Sequence, residues 1–144
     1  MLLTSGKSSE ILQPLEKSLE YQRRAEKYLD NAKKLVLKQE FIKASELLWG
    51  NVVELVKAVG VLYGFDASRL KHKATVNTGK KIALELGDVD MAKLIGKAQA
   101  LHINFYEDFM DREEFAEHYD AVIRLTKKFY DILNQKRMEF SIHI

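Results

Sequence analysis

Apolar residues return along this chain at intervals of three, four and six to seven, the spacing of one helix face, and nothing punctuates it as hairpins require. Leu15, Leu19, Ala25, Leu29, Ala32 and Val36 mark a first helix over 14–37. Pro14 suits its first helical position, although Gln13 before it is a poor cap. Residues 1–13 are expected to form a flexible segment, and 14–140 a single domain.

The stretch 41–63 is the most apolar. Its polar residues Lys43, Glu46, Gly50, Glu54 and Lys57 form one narrow stripe, while Phe41, Leu48, Trp49, Val52, Val53, Val56, Val59 and Leu62 cover the rest of the circumference. Such a helix is central in its bundle, shared with a second subunit, or both in part. Gly64 ends it. Residues 65–78 read as a connection, followed by a short helix from about Thr78 to Leu86 that Gly87 stops. Asp88 or Asp90 caps the next helix, whose stripe of Leu94, Ile95, Ala98, Leu101, His102 and Phe105 runs to about 107. Asp111 with Glu114 three residues later resembles a capping box, and Phe115, Tyr119, Val122, Thr126, Phe129 and Leu133 carry a last helix to about 137. The expected fold is all-α, an up-and-down bundle of four main helices plus one short one.

Composition narrows the chemistry. The chain has 144 residues and no cysteine, which excludes disulfide scaffolds, thiolate metal sites and cysteine nucleophiles. The apolar start Met1–Leu3 is too short for a signal peptide, and no run is long enough to span a bilayer, so a cytoplasmic protein without membrane attachment is expected. The net charge of +2 hides a cancellation. Residues 67–84 hold Arg69, Lys71, Lys73, Lys80 and Lys81 and no acid, whereas 85–120 hold ten acidic residues and three basic ones. The basic segment is a candidate for phosphate or RNA, with amides at the start of a short helix near Asn77-Thr78-Gly79-Lys80-Lys81 as an anion cradle. A solvated lysine-rich loop is the alternative. The cradle is not a P-loop, because Ala74 replaces its first glycine and Lys81 its hydroxyl residue.

No histidine is preceded by the Glu-x-x-His pattern of dinuclear carboxylate sites. Glu114 and His118 share a helix face, where a mononuclear site competes with a merely acidic first helical turn. No metal or other cofactor is expected. His102, Asn104, Tyr106 and Glu107 crowd one helix end, as an acid–base group or as a satisfied core histidine with local partners. No nucleophile motif or dinucleotide fingerprint occurs.

The stretch Ala100-Leu101-His102-Ile103-Asn104-Phe105-Tyr106-Glu107, between a Gly-Asp-x-Asp helix start and a last amphipathic helix, resembles the archaeal PaREP proteins, a branch of HEPN-like domains. The resemblance covers about residues 14–137 and implies a helical bundle that usually dimerises. Catalytic HEPN domains are metal-independent RNases with an Arg-x4-6-His motif; other members bind nucleotides or RNA without catalysis, often beside a nucleotidyltransferase. Carried over, His102 as the motif histidine puts Lys97 at the arginine position, while Arg112 and His118 match the spacing with five residues between them. Lysine lacks the guanidinium fork that grips phosphate at two points, and the Arg112–His118 segment is acidic and repels RNA. The expectation is a noncatalytic homodimeric module for a protein, nucleotide or RNA; the alternative is a toxin-like RNase. Candidate catalytic residues are His102, Lys97, Arg112 and His118. Candidate ligand-binding residues are Asn104, Tyr106, Glu107, Arg69, Lys71, Lys73, Lys80 and Lys81.

Overall fold

The computed structural model describes residues 4–67 and 71–142. They form five helices, α1 (Thr4–Leu37), α2 (Phe41–Leu62), α3 (His72–Glu85), α4 (Val89–Glu107) and α5 (Arg112–Ile142). No strand occurs among them.

The helix expected to start at Pro14 starts ten residues earlier, at Thr4, and Pro14 lies inside it. A proline fits the first turn, where its missing N–H has no acceptor, but here it deletes the bond its amide would make to the carbonyl of Glu10. The α1–α2 turn is closed by Gln39, whose φ of 61° is left-handed, with the amides of Gln39 and Glu40 donating to Val36 and Leu35 carbonyls. α2 then runs back antiparallel to α1. The register is set by Ser18, whose hydroxyl donates to the carbonyl of Ala58 at 2.9 Å, and by Gly50, which leaves room for the Tyr28 ring.

α2 touches all four other helices. Ala58, Asn51, Leu48, Val56, Trp49 and Gly60 are all buried and together span about 200° of its circumference at 100° per residue, as befits its central place among the helices of one chain. Gly64, at φ 89°, ends the turn that follows it.

The connection expected over 65–78 is shorter, because α3 already begins at His72. Its N-cap, Lys71, makes no side-chain cap bond, so the sequence carries no capping signal there. Thr75, Val76, Thr78, Ile82 and Ala83 are buried against the bundle. Gly79 permits the close approach: a Cβ there would stand 3.1 Å from Ile95 Cδ1 and 3.2 Å from Val56 Cγ2. Gly87, at φ 71°, follows the end of α3, and Asp88 caps α4 by accepting from the Met91 amide at 2.9 Å.

α4 runs antiparallel to α2, and α5 turns back beside both, with Asn51 Nδ2 donating to Thr126 Oγ1 at 2.9 Å across α2 and α5. Asp111 begins α5 by accepting from the Glu114 amide at 2.7 Å. α5 continues to Ile142, beyond the expected end near 137. The four long helices alternate in direction and α3 fills the step from α2 to α4, so the bundle is up-and-down with four main helices and one short one.

Candidate functional site

The last two turns of α4 lie over the first two of α2. His102 Nδ1 is 2.9 Å from Glu46 Oε1, and since a carboxylate only accepts, Nδ1 carries the proton and donates. Both side chains remain roughly a quarter exposed, at 27% and 28%. Trp49 lies under the imidazole at a centroid distance of 5.9 Å, and Tyr106 meets it edge-on at 5.2 Å. Glu46 belongs to the polar stripe of α2, which was visible in the sequence; that it faces His102 was not, because the pair is 56 residues apart.

Asn104 is buried and hydrogen-bonded at both its amide nitrogen and its amide oxygen. Its Nδ2 donates to Ser45 Oγ at 3.0 Å, and its Oδ1 accepts from the amides of Phe109 and Met110 at 3.0 and 2.9 Å. Together with the left-handed Asp108, which closes the helix, it fixes the α4–α5 turn. Tyr106, 71% exposed, Glu107 and Phe109 project from this end.

The candidate catalytic pairs do not converge within one chain. Lys97 and His102 are five residues apart on α4, about 140° around the helix, and Lys97 is exposed. Arg112 turns away from α5 to donate to Gln39 Oε1 at 2.6 Å and to cover the Phe41 ring at 5.6 Å, which ties the two turns at this end together. His118 Nδ1 donates to the carbonyl of Glu114 at 2.7 Å, one turn earlier. No group of three or more metal-ligating side chains occurs among the described residues.

The basic candidates stand elsewhere. Lys71 caps α3, Lys73 and Lys81 are exposed along it, and Lys80 is partly buried. Lys81 Nζ lies 5.8 Å from the Phe65 ring, beyond the far end of α2 from Glu46. About 15 Å of helix separates Glu46 from Val56, the α2 residue under Gly79, at 1.5 Å per residue. Asn77 is the sixth residue of α3, not its start, so amides over 77–81 bond within the helix and the expected cradle of free amides is absent. Arg69 lies outside the described residues. A groove of about 520 Å³ between α1 and the end of α2, lined by Pro14, Lys17, Tyr21, Phe65 and Asp66 among others, contains none of the candidates.

Asp88, Glu54 and Arg137 are among the ionisable groups displaced from ordinary behaviour. The hydrogen bond from Lys128, at 2.9 Å, followed by that from the Met91 amide, holds Asp88 below the usual aspartate range. Burial pushes Glu54 up, against the weaker pull of Lys57 and Arg24. Burial lowers Arg137, which reaches from α5 to Gln22 and Ser18 on α1. Asp88 and Arg137 join helices, and none of the three lines the α4 end.

No helix among the described residues is long and apolar enough to cross a membrane. Neither a search of curated proteins nor one of solved structures returns a match. The profile of the archaeal PaREP1/PaREP8 family matches residues 20–126, which includes the whole of α2, α3 and α4 and the His102–Glu46 pair. The chain belongs to the archaeal PaREP1/PaREP8 family.

Proposed function

We propose that this chain is a HEPN-like, noncatalytic interaction module of the cytoplasm that works as a homodimer, makes its protein contact through the aromatic end of α4, and offers the lysines of α3 to a phosphate-bearing ligand such as a nucleotide or RNA. The observation that carries the reading is the disposition of the α4 end. His102 is committed to Glu46 and Asn104 to the turn, while Ile103, Tyr106 and Phe109, 43%, 71% and 49% exposed, point outward. Aromatic residues are enriched where proteins meet, and acids around Glu107 and Asp111 disfavour a nucleic acid at this end. The lysines of α3 lie far enough away for a phosphate-bearing ligand and a protein partner to be held at once.

One observation favours the RNase alternative. A carboxylate on Nδ1 orients an imidazole as a general base acting through Nε2. What a ribonuclease also needs is a cation placed to meet the developing phosphate charge, and neither Lys97 nor Arg112 stands beside its histidine.

The test is incubation of purified protein with single-stranded RNA and a chelator, alongside His102→Ala and His118→Ala. We expect no cleavage above buffer. Cleavage by the wild type that either variant abolishes would overturn the noncatalytic reading.

A further inference from the structure

Gly50 and Tyr28 build a flat surface where α1 crosses α2. A glycine inside a helix weakens it relative to alanine, and the ring that Gly50 admits accounts for its missing side chain. Cγ, Cδ1 and Cε1 of Tyr28 stand 3.3, 3.2 and 3.3 Å from where the Gly50 Cβ would be. Nearly equal distances to three successive ring atoms mean that a face of the ring, not its edge, rests on α2. Tyr28 is still 37% exposed, and it opens on a cleft of about 260 Å³ that it shares with Arg24, Lys27, Asn31 and Leu47. Among the described residues neither its hydroxyl nor the Asn31 amide has a hydrogen-bond partner.

Positive charge gathers on the same side. Residues 21–38 hold six basic residues and two acids. Those acids, Glu26 and Asp30, face Tyr130 on α5. Arg24, Lys27, Asn31, Lys34 and Lys38 fall within about 80° of one another on α1, at 100° per residue. Arg24 holds Glu20 at 3.0 Å, whereas Lys27, Lys34 and Lys38 make no ion pair among the described residues. The nearby acids of α2 are already faced, Glu46 by His102 and Glu54 by Lys57 and Arg24.

We infer that this cleft binds a nucleotide unit, with its base stacked on Tyr28 beside Leu47, its base edge met by Asn31, and its phosphate held by Arg24 and Lys27. An aromatic face supplies stacking to any base, and an amide side chain carries both a donor and an acceptor for the base edge. Inorganic phosphate would use the cations and leave the ring and Leu47 idle; a duplex keeps its bases stacked inside and offers none to Tyr28. Among the described residues α1 makes no contact with α3, so this site is separate from the α3 lysines.

Wild-type protein titrated with AMP by calorimetry, and with a fluorescein-labelled oligoadenylate about ten nucleotides long by anisotropy, is expected to bind at least one of them. Binding of AMP assigns a free nucleotide; binding of the oligonucleotide alone assigns a nucleotide within a strand. Tyr28→Leu is expected to weaken binding roughly tenfold, the scale of one lost stacking contact, and Tyr28→Phe, which keeps the ring, to bind as wild type. Lys27→Gln, a change at an exposed position that leaves the fold alone, is expected to weaken binding several-fold and to make it less sensitive to salt. Lys73→Gln combined with Lys81→Gln is expected to change nothing. No binding of either ligand by the wild type at millimolar concentration, or unaltered binding in either Tyr28→Leu or Lys27→Gln, overturns the site. Binding lost in the α3 variant and kept in Tyr28→Leu overturns it as well, and leaves the reading of the α3 lysines standing.

Discussion

Asn104 shows how one side chain can decide an entire turn. Its amide holds Ser45 on α2 through a buried bond and two backbone amides of the α4–α5 turn through part-buried ones. Asn104→Ala leaves those groups unpaired and is expected to cost roughly 3 kcal/mol, at about 1–3 kcal/mol for each buried polar group left unsatisfied; a denaturant midpoint unchanged from wild type would contradict this. Glu54 makes the opposite prediction. Burial raises its carboxyl, so folding favours the neutral form: its contribution is fully present below the ordinary glutamate value of 4.5 and is lost as the pH rises through the raised one. Glu54→Gln should therefore melt above wild type at pH 7, with the difference shrinking toward pH 4; an equal or lower midpoint at pH 7 sinks the argument. Sequence spacing could gather His102, Asn104, Tyr106 and Glu107 on one helix end. It could not supply Glu46, Ser45 or Gln39, since their pairing is decided by how α2 and the α1–α2 turn meet α4 and α5.

At the scale of elements, the apolar periodicity located α2, α4 and the start of α5 to within a residue or two, because each carries a clear end signal: Gly64 after α2, Asp88 before α4, Asp111 before α5. α1 and α3 begin without such signals, so Pro14 imitates a helix start and the lysines at 71–73 imitate a loop. Two substitutions probe those elements. Pro14 sits inside α1, where a proline disfavours helix by up to about 3 kcal/mol, so Pro14→Ala is expected to raise both helicity and the melting midpoint; a fall in either would show that Pro14 has a favourable role. Gly79→Val forces branched carbons into Ile95 and Val56, and overpacking of this kind costs about 1–3 kcal/mol. Wild-type stability in that variant would mean that α3 does not pack as closely as described.

Across the whole molecule, near-neutrality resolves into places. The acids that follow Glu107 surround the α4–α5 turn and its exposed aromatics, and the lysines of α3 lie toward the other end of α2. The sequence showed both charge blocks but not their separation, which depends on α3 folding back over Val56 and Ile95. Of the places its apolar circumference allows α2, central in the bundle or shared with a second subunit, α2 takes the centre of one chain, in contact with all four other helices. The proposed interaction module works as a pair of chains. Light scattering on the full chain at micromolar concentration is expected to give twice the 16.6 kDa of one chain; a mass of 16.6 kDa would contradict it.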